Sequence, residues 1–191
     1  MSRVLERSFN LGHAPVTTLG GLDGSRFRRV VSEHFEVLWR FLRRLGIPDR
    51  DLDDAVQEVV LVLARKLEQV QIGSERSFVL STAVRVASGF RRTVRNRREV
   101  DDSELIEVES PALGPEALAE KQRLRAVLQR VLNELPLELR AVFVLYELEE
   151  LTMAEIAATL ELPPGTVASR LRRAREHFEL AASRAVGELA S

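Results

Sequence analysis

Apolar residues recur along this chain at steps of three and four, the period of helices that bury one face. Phe27, Val30, Val31, Phe35, Leu38, Phe41, Leu42 and Leu45 keep that spacing and predict a first helix over about 25–45, which Gly46-Ile47-Pro48 ends. A second is predicted from Asp49 or Asp51 to about Val70, with Val56, Val59, Val60, Leu63 and Leu67 inward. Its first turn is acidic, which suits the positive end of the helix dipole. After a loop at 69–74 containing Gly73, a third helix spans about 75–98 on Val79, Ala83, Val86, Ala87, Phe90 and Val94. A fourth runs from Pro115 to about Leu135 on Leu118, Leu124, Val127, Leu128, Val131 and Leu132. Pro136 opens a fifth over 137–148, whose run Ala141-Val-Phe-Val-Leu-Tyr146 belongs in a small core. Residues 1–24 carry Gly12, Pro15, Gly20, Gly21 and Gly24 without a sustained period and are expected to be a mobile leader.

The stretch from Leu151 to Phe178 predicts two helices joined by a tight turn. Thr152 and Glu155 have the spacing of a capping box. Ile156, Ala157 and Leu160 share one face, and Glu161-Leu162-Pro163 ends that helix. Pro164 fits the first turn of the next, where its missing N–H costs nothing. There Val167, Leu171, Ala174 and Phe178 face inward, and at about 100° per residue Gly165, Thr166, Ser169, Arg172, Arg173 and Glu176 fall outside. A short capped helix, a turn and a basic-faced second helix make a helix-turn-helix, whose second helix enters the DNA major groove. No alternating pattern appears anywhere. The expected fold is all-α, two small helical domains over 25–98 and 115–180, with a tail at 181–191.

Charge changes the picture once it is placed along the chain. The net charge is −1, and apart from Lys66 and Lys121 every basic residue is arginine. A GC-rich genome accounts for that usage; so does a need for forked phosphate contacts. From Arg85 to Arg98 there are six arginines and no acid, and from Glu99 to Glu120 eight acids and no base. The acidic stretch 99–114 ends in proline and glycine signals and is expected to be a linker, either a plain spacer or a strand of negative charge that mimics nucleic acid. On the third helix Ser81, Arg85, Ser88, Arg92 and Arg95 form a polar stripe of roughly 20 Å. It is a phosphate track or an ordinary basic surface. Trp39 and His34 are expected to be packing residues.

Composition excludes several classes. Cysteine is absent, which removes disulfides and thiolate metal sites. His13, His34 and His177 lie far apart, and no cofactor is expected. No apolar run is long enough for a bilayer span, and the N-terminus lacks a signal-length apolar core, so no membrane insertion and a cytoplasmic location are expected. No paired carboxylates, nucleophile-base pair or metal cluster suggests an enzyme.

Taken together, the order of elements resembles the sigma-70 family of bacterial RNA polymerase sigma factors, in particular the short extracytoplasmic-function (ECF) class. The resemblance covers about Arg26 to Phe178 and is densest over LPLELRAVFVLYELEELTMAEIAATLELPPGTVASRLRRAREHF, with Asp53-Asp-Ala-Val-Gln-Glu58 and the basic helix ending in Arg91-Arg92 upstream. It implies that the C-terminal domain binds the promoter minus-thirty-five element through Thr166, Ser169, Arg170, Arg172 and Arg173. It implies that the third helix binds the minus-ten element and its separated non-template strand through Arg85, Ser88, Arg92 and Arg95. Asp54, Gln57 and Glu58 would dock on the clamp helices of core RNA polymerase, and the acidic linker would thread toward the active-site and RNA-exit channel. An anti-sigma factor is an expected partner, and the free protein is expected to be a monomer.

Three positions depart from the family pattern: Phe78 where tryptophan is usual, Ala168 where a basic residue often follows Gly-Thr-Val, and Arg85-Val-Ala-Ser-Gly89 without the common Asn and Asp. They bear on which promoter is read. Specific reading needs base-edge contacts, which Ser169 with Arg172 or Arg173 can supply, Arg preferring guanine. Opening needs an unstacked base to be held, and the loop at 69–74 is the candidate pocket wall, though poor in aromatics. An ordinary helix-turn-helix repressor or response-regulator output protein, dimeric on a palindrome, is the competing reading.

Overall fold

The computed structural model describes residues 24–97 and 115–189. All regular elements among these residues are helical: α1 (Gly24–Arg44), α2 (Asp49–Lys66), a 3-10 turn (Leu67–Gln69), α3 (Glu75–Arg97), α4 (Pro115–Glu134), α5 (Leu137–Glu147), α6 (Met153–Leu160) and α7 (Pro164–Leu189). The expected acidic linker at 99–114 and the leader up to Asp23 lie outside the described residues.

Helix ends follow local chemistry. Gly46, at φ 91°, makes the left-handed turn after α1, and its N–H donates to Arg43 O at 2.9 Å. Pro48 is the N-cap of α2, followed by Asp49 and Asp51 in the first turn. The second helix is shorter than expected, because the backbone tightens at Leu67 and leaves the helix at Val70. Arg26 explains why that end is stable. Its guanidinium donates to Leu67 O (3.1 Å) and Val70 O (2.7 Å) and pairs with Glu75 Oε1 at 2.8 Å, while Glu75 Oε2 accepts from Gly73 N at 2.6 Å. One ion pair thus ties α1 to the loop and to the start of α3.

Helices α1, α2 and α3 pack together around Leu38, Phe41, Leu42, Leu52, Val56, Val59, Leu63, Val79, Leu80 and Ala83, all nearly fully buried. Helices α4 to α7 pack around Leu132, Leu135, Val142, Val144, Leu145, Ile156, Val167, Leu171 and Ala174. Phe143 and Phe178 stack with ring centroids 4.7 Å apart. The apolar residues of both halves form one contiguous cluster, because α3 touches α6 and α1 touches α4. Two expectations fail in detail. Leu124, assigned to the inner face of α4, is 57% exposed. Ser81, assigned to the polar stripe of α3, is buried and donates to Phe78 O at 3.0 Å, so its hydroxyl is spent within the helix.

Candidate nucleic-acid interface

The helix-turn-helix forms as its local chemistry requires. Thr152 Oγ1 accepts from Glu155 N, and the Glu155 carboxylate accepts from Thr152 N at 2.7 Å, completing the capping box. The Thr152 hydroxyl also donates to the Glu155 carboxylate at 2.7 Å, and this bond first, then the one from Thr152 N, holds the Glu155 carboxyl below its usual range. Glu161 closes α6 in the left-handed region (φ 55°), and its N–H reaches back to Ala157 and Ala158 carbonyls. Pro164 opens α7, with Pro163 O accepting from Thr166 N and Val167 N.

On α7, Val167, Leu171 and Ala174 are buried, and Phe178 packs against the core. Their burial turns Ser169, Arg172 and Arg173 to solvent, with Thr166 and Arg170 half-buried beside them. Ser169 Oγ donates to Thr166 O at 3.0 Å, and Arg172 pairs with Glu176 one turn on. Arg175 behaves differently: it pairs with Glu147 at 2.7 Å and lies over the Tyr146 ring at 5.1 Å, so it fastens α7 to α5. Ala168, half-buried on the next strip, places only a methyl where a longer side chain would reach outward.

In the N-terminal half, Arg85 is exposed and Ser88 half-buried on α3. Arg92 and Arg95 lie on the same helix, and their side chains fall outside the described residues. The Arg85 guanidinium is 3.3 Å from Glu161 of the helix-turn-helix turn. Phe78 packs against the core rather than standing on the surface. In the loop before α3, Gln71, Ile72, Gly73 and Ser74 are exposed, Ile72 at 78%.

Asp54, Gln57 and Glu58 are all exposed on one side of α2. Leu61 continues that side and is 48% exposed, which the sequence pattern alone did not single out. An apolar residue in an acidic strip is the kind of anchor a protein partner buries; the only signal for it was its place three residues after Glu58. Among the described residues no three His, Asp or Glu side chains are grouped to hold a metal, and no helix is long and apolar enough to cross a membrane.

Comparison with known proteins places these features in one family. Residues 125–178, which contain α5, α6 and the first part of α7, match the family model described as sigma-70, region 4. The ECF RNA polymerase sigma factor SigE of Mycolicibacterium smegmatis is 33% identical over 152 residues, covering 78% of this chain and 58% of that protein. The ECF RNA polymerase sigma-E factor of Escherichia coli K12 is 33% identical over 142 residues, covering 70% of this chain and 74% of that one. Among solved structures, CnrH in complex with the cytosolic domain of CnrY shares the fold (TM-score 0.60, 22% identity, 87% of this chain and 92% of that one). So does the sigma factor RpoE in complex with the anti-sigma factor NepR from Bartonella quintana (TM-score 0.61, 23% identity, 83% of this chain and 97% of that one). The all-α fold, the capped helix-turn-helix and these likenesses together establish that the chain belongs to the ECF RNA polymerase sigma factors of the sigma-70 family.

Proposed function

We propose that this protein is a dissociable, non-enzymatic subunit of RNA polymerase that reads two promoter elements and helps open the DNA between polymerase binding and initiation. Helix α7 enters the major groove of the minus-thirty-five element, where Ser169, Arg172 and Arg173 meet base edges and Thr166 and Arg170 meet the backbone. Helix α3 takes the minus-ten element, with Arg85, Ser88, Arg92 and Arg95 toward the non-template strand. The acidic side of α2, Asp54, Gln57 and Glu58 with Leu61 beside them, docks on core polymerase. A partner that covers these faces, an anti-sigma factor, keeps the protein idle; the structurally similar RpoE is itself found in complex with the anti-sigma factor NepR.

The observation that carries the reading is the recognition helix itself: Val167, Leu171 and Ala174 are buried so completely that Ser169, Arg172 and Arg173 can only face outward. Arg forks suit guanine edges and phosphates alike, and Ser suits either. The test is copurification with core polymerase followed by footprinting of the complex on promoter DNA. A core-dependent footprint covering both elements is expected. Tight binding of a palindrome by the protein alone would favour a repressor instead.

A further inference from the structure

The loop between α2 and α3 takes its shape from a residue of another helix. Arg26, in the first turn of α1, reaches it with a forked guanidinium. Its Nη1 donates to Leu67 O at 3.1 Å, and its Nη2 donates to Val70 O at 2.7 Å and to Glu75 Oε1 at 2.8 Å. Glu75 is 8% exposed, and its other carboxylate oxygen accepts from Gly73 N at 2.6 Å. Ser74 N donates to Gln71 O at 3.0 Å, with Gly73 at a left-handed φ of 91° between them. The backbone is thus tied at 67, 70, 73 and 75, while the Ile72 side chain stands in solvent.

A single exposed isoleucine is ordinary on a protein surface; its placement is what singles this one out. Ser74 O accepts from Phe78 N at 3.0 Å, so Ser74 already lies on the helical line of α3. Arg85, eleven residues on, falls within about 20° of Ser74 around the axis and roughly 16 Å along it. The loop therefore sits at the N-terminal end of the side of α3 that carries Arg85 and Ser88.

We propose that Arg26 and Glu75 are positioning residues for promoter opening: they fix the 70–74 loop so that Ile72 meets an unstacked base of the non-template strand. This rests on the sigma-factor reading above. Every base has an apolar face, and where proteins open a base step an aliphatic side chain such as Ile or Leu can cover it. The exposed Gln71 and Ser74 beside Ile72 carry the polar groups that a base edge needs. Holding a base out of the stack is costly, and a contact that first had to order its own loop would return less. Here the loop is ordered on folding. The fork is what allows one side chain to reach two carbonyls and a carboxylate, which a lysine ammonium matches in charge but not in shape.

The test uses the full chain with core polymerase on a two-element promoter, with opening followed by permanganate reactivity of unpaired thymines. Ile72→Ala should slow opening about tenfold, and Ile72→Leu, equally apolar, should keep most of the wild-type rate. Arg26→Lys keeps a charge beside buried Glu75, and with it the fold, but loses the fork. It should slow opening about fivefold or more while binding to the minus-thirty-five element is unchanged. In the double variant the two losses should not add, because Arg26 acts through Ile72; a role in folding alone would make them additive. Wild-type opening by Ile72→Ala or by Arg26→Lys, or additive losses in the double variant, would overturn the proposal. Failure of the wild-type protein to open the promoter would instead overturn the sigma-factor reading itself.

Discussion

Gly46 is where one missing carbon matters most. Its φ of 91° suits glycine, and a Cβ there would lie 2.2 Å from the Arg140 guanidinium and 3.0 Å from Asn133. Gly46→Ala should therefore destabilise by about 1–3 kcal/mol from backbone strain, and more if Arg140 is displaced; thermal unfolding of the variant measures it. Glu75 gives a second prediction at this scale. Burial alone would raise its carboxyl, but the Arg26 bond and the backbone N–H groups of Glu75 and Gly73 outweigh that and hold it below its ordinary range. A lowered carboxylate pKa means stability is fully present above the unfolded value of 4.5 and is lost as pH falls through the folded value. Denaturant titrations below pH 4.5 should show a loss that Glu75→Gln largely abolishes. His34 adds to it at milder acid. Burial lowers its pKa, the main cause, so stability begins to fall as pH drops below 6.5. Their charged neighbours do not announce themselves in the sequence: Arg140, Glu149 and Arg26 look like surface charges until distant chain segments are brought to them.

At the scale of the element, local rules sufficed. Thr152 with Glu155, Pro164 and the Val167-Leu171-Ala174 spacing were legible because capping and helical period depend on neighbours in the chain. Thr152→Ala should cost about 1 kcal/mol of stability, seen as a lower unfolding midpoint, and should weaken minus-thirty-five binding by loosening α6. Arg173→Ala should cost about 1–3 kcal/mol at one promoter position if it reads a base, and weaken all sequences alike if it holds a phosphate; binding to a panel of single-base variants separates the two. On α2, Asp54→Arg with Glu58→Arg should abolish core binding and leave helix content unchanged, since both side chains are exposed. Normal core affinity in that variant would remove the docking assignment. Periodicity was less reliable where exposure is decided by tertiary neighbours. Leu124 keeps the inner spacing of α4 yet stands in solvent, while Ser81 sits opposite the apolar face yet is covered.

For the whole molecule, the sequence supports two helical halves separated by an acidic stretch, and most helices fall close to their expected bounds; the exception is α7, which runs on through the expected tail to Leu189, with Ala181 and Ala185 buried beside Val131. What it could not supply is how the halves meet. That joint depends on Arg140 reaching Leu45, 95 residues away, and Arg44 reaching Glu149, 105 residues away, pairings with no periodic signature. Promoter choice by this chain is open to one decisive measurement: transcription of genomic DNA by purified core polymerase, with and without the protein, followed by mapping of the 5′ ends. New starts should appear only with the protein and share a pair of upstream elements at fixed spacing. Starts unchanged by the protein would contradict it.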